Sequence, residues 1–375
     1  MEGEKFGGSL PVPNVQELVK KEPHMKQVPA RYIQDDIAPP NIVDSSSLLD
    51  QIPVIDLHAL LYSSDHDLFQ SELHKLDDAC KNWGFFHLVN HGVSTSLVKQ
   101  MKSEIEQFFD SPIEEKTKLE QEPGDVQGYG QAYVFSDQQK LDWCDMLYLF
   151  TLPIHLRKPR LWQNLTPSFS ETLNEYSSEL RKLFMKLLNL FAKILNIDEE
   201  EIGDLFEEGM QSSRLNYYPP CPQPDLVTGL TPHSDPVGLT ILLQVNNVDG
   251  LQIQHNGSWV LIKPLPDAFI VNIGDVLEIF SNGAYKSILH RAIVQSEVEK
   301  RMSIATFITP RLDGKVGPAK SLTCPKTGTG TAPQFYTVSV TDFIKGYIGR
   351  ELDLKSNVDA LRVKGPEEEG DLKEK

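Results

Sequence analysis

The chain has 375 residues, of which 40% are hydrophobic and 24% charged, enough for a large core and the balance of an ordinary globular protein. Its formal net charge of −17 repels phosphate backbones and anionic membrane surfaces, so neither nucleic acid nor a membrane is an expected partner. The four cysteines, Cys80, Cys144, Cys221 and Cys324, form no CxxC pair and read as reduced thiols of a cytoplasmic protein.

Residues 1–50, interrupted by Pro11, Pro13, Pro23, Pro29, Pro39 and Pro40, read as an N-terminal extension whose opening MEGEKFGGSL lacks a basic-then-apolar leader pattern. In region 51–160, IPVIDL (52–57) predicts a short buried strand and 69–83 a helix. GFFHLVNHG (84–92) then predicts a strand ending in a turn, and residues 94–109 a second helix with Leu97, Met101, Ile105 and Phe108 at helical spacing. Region 161–209 is dominated by Leu173, Tyr176, Leu180, Leu183, Leu187, Phe191 and Ile194, which predict a long amphipathic helix over 170–197 laid on a sheet. The run DEEE (198–201) opens another helix. From 210 to 310 the period changes to short β-rich runs divided by Asp249-Gly250, Asn256-Gly257, Gly274-Asp275 and Asn282-Gly283. That texture predicts roughly eight strands in an antiparallel sandwich or barrel. Residues 311–363 read as a helical C-terminal region, GTGTAPQ (328–334) as a loop and 364–375 as a disordered tail.

The chemistry gathers in the β-rich region. TPHSDPVGLTILLQ (231–244) sets His233 and Asp235 two apart at the head of an apolar run, so in a strand both point to one face. Inside a barrel neither group stays unpaired cheaply, and a divalent metal compensates both. A third ligand is available in SILHRAIV (287–294), where His290 follows Asp235 by 55 residues. Two histidines and one carboxylate are the ligand set of non-haem Fe(II) sites with open positions, although zinc hydrolases also use such sets and an isolated His-x-Asp is commonly a surface turn. RMSIATF (301–307) puts Arg301 and Ser303 on one strand face, a pairing suited to a buried planar anion such as a carboxylate co-substrate. RLNYYPP (214–220) aligns Arg214, Asn216 and Tyr218, with Tyr218 either reaching that anion or packing as a core tyrosine. The same alternation carries Phe307 onto the face of Arg301, where it either lines a cavity for a ring-bearing substrate or packs as core. His87 and His91 are four apart, but Leu88 stands where an HExxH motif needs glutamate, so no metal is expected there; His255, in an HNG turn, reads as solvated.

Taken together, NYYPPCPQP, HSD, the lone His290 in LHRA and the Arg-Met-Ser run resemble the plant 2-oxoglutarate/Fe(II)-dependent dioxygenases, and GFFHLVNHG and IPVIDL resemble the N-terminal half of that family. The resemblance covers about residues 50–363 and is nearest to the branch of senescence-related, norcoclaurine-synthase-like and opiate O-demethylase enzymes. It implies a mainly β fold, a double-stranded β-helix (jelly roll) core with flanking helices and a helical N-terminal extension. It further implies that His233, Asp235 and His290 are the catalytic iron ligands. Arg301 and Ser303 would hold the distal carboxylate of 2-oxoglutarate, with Tyr218 and Asn216 in support. The expected cofactors are Fe(II), 2-oxoglutarate and O2, with ascorbate as reductant. The expected reaction is hydroxylation of a small aromatic or alkaloid-like specialised metabolite, with release of succinate and CO2; on an O-methyl group the product hemiacetal loses formaldehyde. Tyr133 and Phe135, after the glycine-rich GYGQAYV (128–134), are expected near the substrate, as is Val237, where many relatives carry a smaller residue. A metal hydrolase and a catalytically silent ligand-binding relative are the alternatives. Nothing in the sequence demands a partner chain, so a monomer is expected.

Overall fold

Alternation with a period of two organises the centre of the molecule. The computed structural model describes residues 9–34, 52–294, 298–323, 330–348 and 356–363, so the tail 364–375 and the start of the 328–334 loop lie outside the described residues. The principal strands are β1 (Val54–Asp56), β2 (Phe85–Val89), β3 (Gly128–Gly130), β4 (Asp145–Leu152), β5 (Gln211–Tyr218) and β6 (Leu230–His233). They continue with β7 (Leu239–Gln244), β8 (Leu251–His255), β9 (Ser258–Leu261), β10 (Phe269–Ile273), β11 (His290–Ala292) and β12 (Arg301–Ile308). Eight of them form one sheet in the order β1-β2-β10-β7-β12-β5-β4-β3, and β6-β11-β8-β9 form a second. Every pairing in these sheets is antiparallel except the parallel β1–β2 edge. The sheets meet through a shared apolar cluster in which Phe85 and Ile270 of the large sheet touch Leu251, Ile253 and Val260 of the small one. This is the jelly-roll core, with β5 to β12 supplying the strands expected between 210 and 310.

The other face of the large sheet is covered by helices. Met302, Ile304 and Ile308 of β12, with Leu215 and Tyr217 of β5, share a core with the helices Thr95–Asp110 and Pro167–Leu195. Their strand neighbours Arg301, Ser303, Ala305 and Phe307, with Arg214, Asn216 and Tyr218, line a cavity between the sheets. Each strand therefore separates an apolar face from a polar one, as alternating side chains must. The long helix buries Leu173, Tyr176, Leu180, Leu183, Leu187 and Phe191 against the sheet, and each fully buried leucine contributes about 1.5–3 kcal/mol. It begins at Pro167 rather than 170 because Thr166 accepts a cap bond from Phe169 N and proline fits the first turn.

Two turn signals behave differently. Asn256-Gly257 joins β8 to β9 with φ of 48° and 79°, the left-handed pair of a two-residue hairpin. Gly274-Asp275 instead opens the short helix Asp275–Phe280, because Gly274 passes so close to Val237 that a Cβ would lie 2.1 Å from its carbonyl oxygen. His255, expected in solvent, stacks on Trp83 with centroids 3.9 Å apart and planes 4° apart, since the hairpin folds back on the Trp83 turn.

Candidate active site

Sheet pairing brings the three candidate ligands together. β6 and β11 are antiparallel neighbours in which His233 lies directly opposite His290, and Asp235 follows β6 by two residues. His233 Nε2 and His290 Nε2 each stand 3.6 Å from Asp235 Oδ1. That separation is too long for a hydrogen bond but places three ligand atoms within 4.8 Å of one another. Each ring is oriented by its other nitrogen: His233 Nδ1 lies 2.8 Å from Thr231 O and His290 Nδ1 3.1 Å from Ile288 O. A carbonyl can only accept, so both Nδ1 atoms carry the proton and both Nε2 lone pairs face inward. Burial lowers the His233 pKa, keeping its imidazole neutral. Asp235 is fixed as firmly, since its Oδ2 accepts from Thr240 Oγ1 at 2.6 Å and Asn272 Nδ2 at 2.8 Å, leaving Oδ1 toward the histidines. Two imidazole lone pairs and a carboxylate oxygen converging with no proton between them fit a divalent cation. Among the described residues this is the one such cluster.

The residues expected to clamp an anion line the same cavity as the histidines. Arg301 pairs with Tyr218 and Ser303 with Asn216 across β12 and β5. Asn216 Nδ2 donates to Ser303 Oγ at 3.4 Å, and the Arg301 guanidinium carbon sits 5.1 Å from the Tyr218 ring centre. Arg301 Nη2 donates to Gln244 Oε1 at 3.1 Å, whereas Arg301 Nε and Asn216 Oδ1 are buried without a hydrogen-bond partner. A buried guanidinium with an unused donor is costly unless an anion completes it, so the donor set fits a carboxylate. Gly250 makes room for it: a Cβ there would come within 2.8 Å of Arg301 Cδ. Both sets of residues line one cavity.

That cavity meets a second at Arg214, His233, Asp235 and Phe307. Tyr133, Val237 and Phe307 line the second cavity as the sequence suggested; Phe135 lines neither. Tyr133 takes φ +62°, and Val134 then buries in a separate apolar cluster, which turns Phe135 away. A left-handed conformation costs a residue with a Cβ about 1–2 kcal/mol, so the surroundings must hold Tyr133 there. Sequence reasoning missed Tyr148, Ile344 and Tyr347 in this wall and assigned no role to Arg214. Tyr148 arrives on β4 opposite Arg214, and Tyr347 comes from the helix Val340–Ile348, its hydroxyl donating to Ser234 O at 3.3 Å. Tyr148 stands edge-on to Phe307 and Tyr133 edge-on to Tyr347. Arg214 is buried at the junction of the two cavities with its Nε unpartnered.

Comparisons with known proteins agree with this geometry. Residues 209–310 match the 2OG-Fe(II) oxygenase superfamily and residues 52–168 the N-terminal region described as non-haem dioxygenase in morphine synthesis. The chain is 46% identical over 367 residues to oxoglutarate-dependent flavonoid 7-O-demethylase 1 of Ocimum basilicum, covering 96% of this chain and 94% of that one. It is 47% identical over 366 residues to thebaine 6-O-demethylase of Papaver somniferum, covering 96% and 98%. The crystal structure of JOX2 in complex with 2OG, Fe and JA superposes with a TM-score of 0.83 at 33% identity, covering 95% of this chain and 99% of that one. Identity at this level over nearly the full length makes the chain, with its buried His-Asp-His cluster, a member of the 2-oxoglutarate/Fe(II)-dependent oxygenase family.

Proposed function

We propose that this oxygenase acts on a flat, methoxylated aromatic metabolite and removes an O-methyl group, with His233, Asp235 and His290 holding iron. Arg301 and Ser303 take the distal carboxylate of 2-oxoglutarate, backed by Asn216 and Tyr218. The bound metal, with 2-oxoglutarate and O2, supplies the oxidation of a C–H bond and releases succinate and CO2. The residues supply everything else. The Nδ1–H bonds to Thr231 and Ile288 keep both imidazoles aimed, and Thr240 and Asn272 keep Asp235 from turning. The clamp orients the co-substrate and the apolar wall keeps water from the reacting carbon. An oxidised methyl ether is a hemiacetal and collapses to a phenol and formaldehyde.

The observation that carries the substrate reading is the ring wall of Tyr133, Tyr148, Phe307 and Tyr347 beside His233 and Asp235. Offset and edge-on contacts to a flat ring are worth about 0.5–1.5 kcal/mol each beyond burial. The relatives named as flavonoid 7-O-demethylase, thebaine 6-O-demethylase and codeine O-demethylase support it. A metal hydrolase has no use for Arg301 and Ser303, and a silent binding relative has no use for an intact ligand set. We place the enzyme in the cytoplasm as a monomer: Cys80 and Cys144 are buried thiols, and no helix among the described residues is long and apolar enough to cross a membrane. The test is a panel of O-methylated flavonoids and alkaloids, with non-aromatic terpenoids and carboxylic acids beside them, with Fe(II), 2-oxoglutarate and ascorbate, following formaldehyde and succinate together. Equimolar release on a methoxylated aromatic is expected; succinate release stimulated only by non-aromatic compounds defeats the substrate reading.

A further inference from the structure

We propose that the N-terminal extension, whose described residues 9–34 line neither cavity of the site, is a specificity element that sets the substrate wall by clamping the peptide group that follows Tyr133. The proposal rests on the substrate reading above. Tyr133 is the wall residue with a left-handed backbone, φ +62°, and a tyrosine stays there only if its neighbours over-determine it. The Tyr133–Val134 peptide is held at both ends: Gln139 Nε2 donates to Tyr133 O at 2.7 Å, and Val134 N donates to Ser9 Oγ at 3.2 Å. Ser9 Oγ in turn donates to Gln131 O at 2.9 Å, and Leu10 N donates to Val134 O at 2.7 Å. Two residues of the extension thus bracket Tyr133 from both sides.

Gln139 is itself set by the extension. Its Oε1 accepts from Phe135 N at 2.7 Å, while its backbone oxygen accepts from Arg31 Nε at 3.2 Å. Arg31 Nη2 donates to Ser136 O at 3.1 Å, and Leu141 N donates to Arg31 O at 2.9 Å. Val134 packs in one apolar cluster with Val15, Val28 and Tyr32. The loop from Gln131 to Leu141 is therefore laced to residues 9–34 along its length. Tyr133 and Ala132 form a partition, lining both the substrate cavity and an adjoining polar pocket to which Gln34 of the extension and Asp142 contribute. Releasing the Tyr133–Val134 peptide lets Tyr133 relax to negative φ, which swings its ring off the wall and away from Tyr347. Ser9 and Arg31 are positioning residues; they act through Tyr133 and meet no reactant.

The full-length Ser9→Ala/Arg31→Ala protein, Tyr133→Ala and the triple variant are compared with wild type on a methoxyflavone turned over in the panel above. The KM for the methoxyflavone should rise about tenfold in Ser9→Ala/Arg31→Ala, the equivalent of about 1.4 kcal/mol. Succinate should exceed formaldehyde, while the KM for 2-oxoglutarate and the anaerobic Fe(II)–2-oxoglutarate absorption band stay as in wild type. The triple variant should be no worse than Tyr133→Ala, because residues acting through one another are not additive, and Ser9→Thr/Arg31→Ala, which keeps the hydroxyl, should lose less than Ser9→Ala/Arg31→Ala. Independently of any substrate, hydrogen–deuterium exchange should quicken at the amides of Val134 and Phe135 in Ser9→Ala/Arg31→Ala. Unchanged exchange, or a triple variant whose losses add, overturns the proposal. If no methoxylated aromatic is turned over, the substrate reading alone fails and exchange decides: faster supports the clamp, unchanged overturns it.

Discussion

The cofactor end and the substrate end of the cavity are built by different means. Every group at the cofactor end sits on or beside a strand, and adjacent-strand register alone pairs His290 with His233, Arg301 with Tyr218 and Ser303 with Asn216. Each ligand also has an outer hydrogen bond that fixes it. The substrate end shares β5 and β12, but Tyr133 comes from an irregular loop, Val237 from the β6–β7 connection, and Ile344 and Tyr347 from a C-terminal helix. Rigid pairing suits chemistry that stays constant, whereas packing between remote segments suits a surface that must vary with the ligand.

Substitutions at the two ends should fail in different ways, and four of them grade the contrast. The largest effect is expected for His290→Ala, which leaves two ligands: turnover should vanish while the circular-dichroism spectrum is unchanged, and near-normal turnover would refute the triad. Next comes Asn272→Ala, which frees one side of Asp235. Loss of an outer-shell partner costs about 10–100-fold in metal affinity, readable as a raised Fe(II) requirement at saturating 2-oxoglutarate. Arg301→Ala should raise the KM for 2-oxoglutarate at least about tenfold, because a hydrogen bond to a charged group is worth about 1.5–3 kcal/mol. Lysine there should restore only part of it, lacking the planar fork; an unaltered KM means the anion binds elsewhere. Phe307→Leu, the smallest, keeps apolar bulk and loses the ring, so methoxyflavone binding should weaken several-fold at the ~0.5–1.5 kcal/mol of an aromatic contact. The KM for 2-oxoglutarate and the melting temperature should hold. Equal loss in every constant and in thermal stability would mark Phe307 as plain core and erase the distinction between the two ends.

The same contrast explains what was legible in the sequence. His233-x-Asp235, Arg301-x-Ser303 and Arg214-x-Asn216-x-Tyr218 are two-residue spacings, and a strand converts such a spacing directly into a shared face. His290 needed only one further β run. Phe307 followed from the same arithmetic. Tyr148 could not, because its place depends on β4 pairing with β5, a register that no short motif encodes. Tyr347, 113 residues beyond the Ser234 carbonyl it meets, depends on where a C-terminal helix docks. Phe135 was expected beside the substrate from the family resemblance, but the left-handed backbone of Tyr133 and the burial of Val134 redirect the chain before it. Gly274 was read as a turn because glycine permits one, whereas its role is to let two backbones approach.

β12 runs from the anion clamp at Arg301 to the substrate wall at Phe307 on a single strand. At about 3.3 Å per residue it behaves as a ruler roughly 20 Å long, with the proposed co-substrate position at one mark and the proposed substrate position at another. Inserting or deleting one residue between Ser303 and Phe307 would turn Phe307 into the helix-side core and bring Thr306 or Ile308, respectively, to its place in the cavity. β12 can therefore diversify by exchange of side chains but not by change of length. Length variation has to fall elsewhere, in the Gln131–Leu141 loop and around the C-terminal helix, where no strand register is at stake. Descendants of this scaffold with new substrates should differ by gaps at those two places and by point changes at position 307, with Arg301 and Ser303 kept in step.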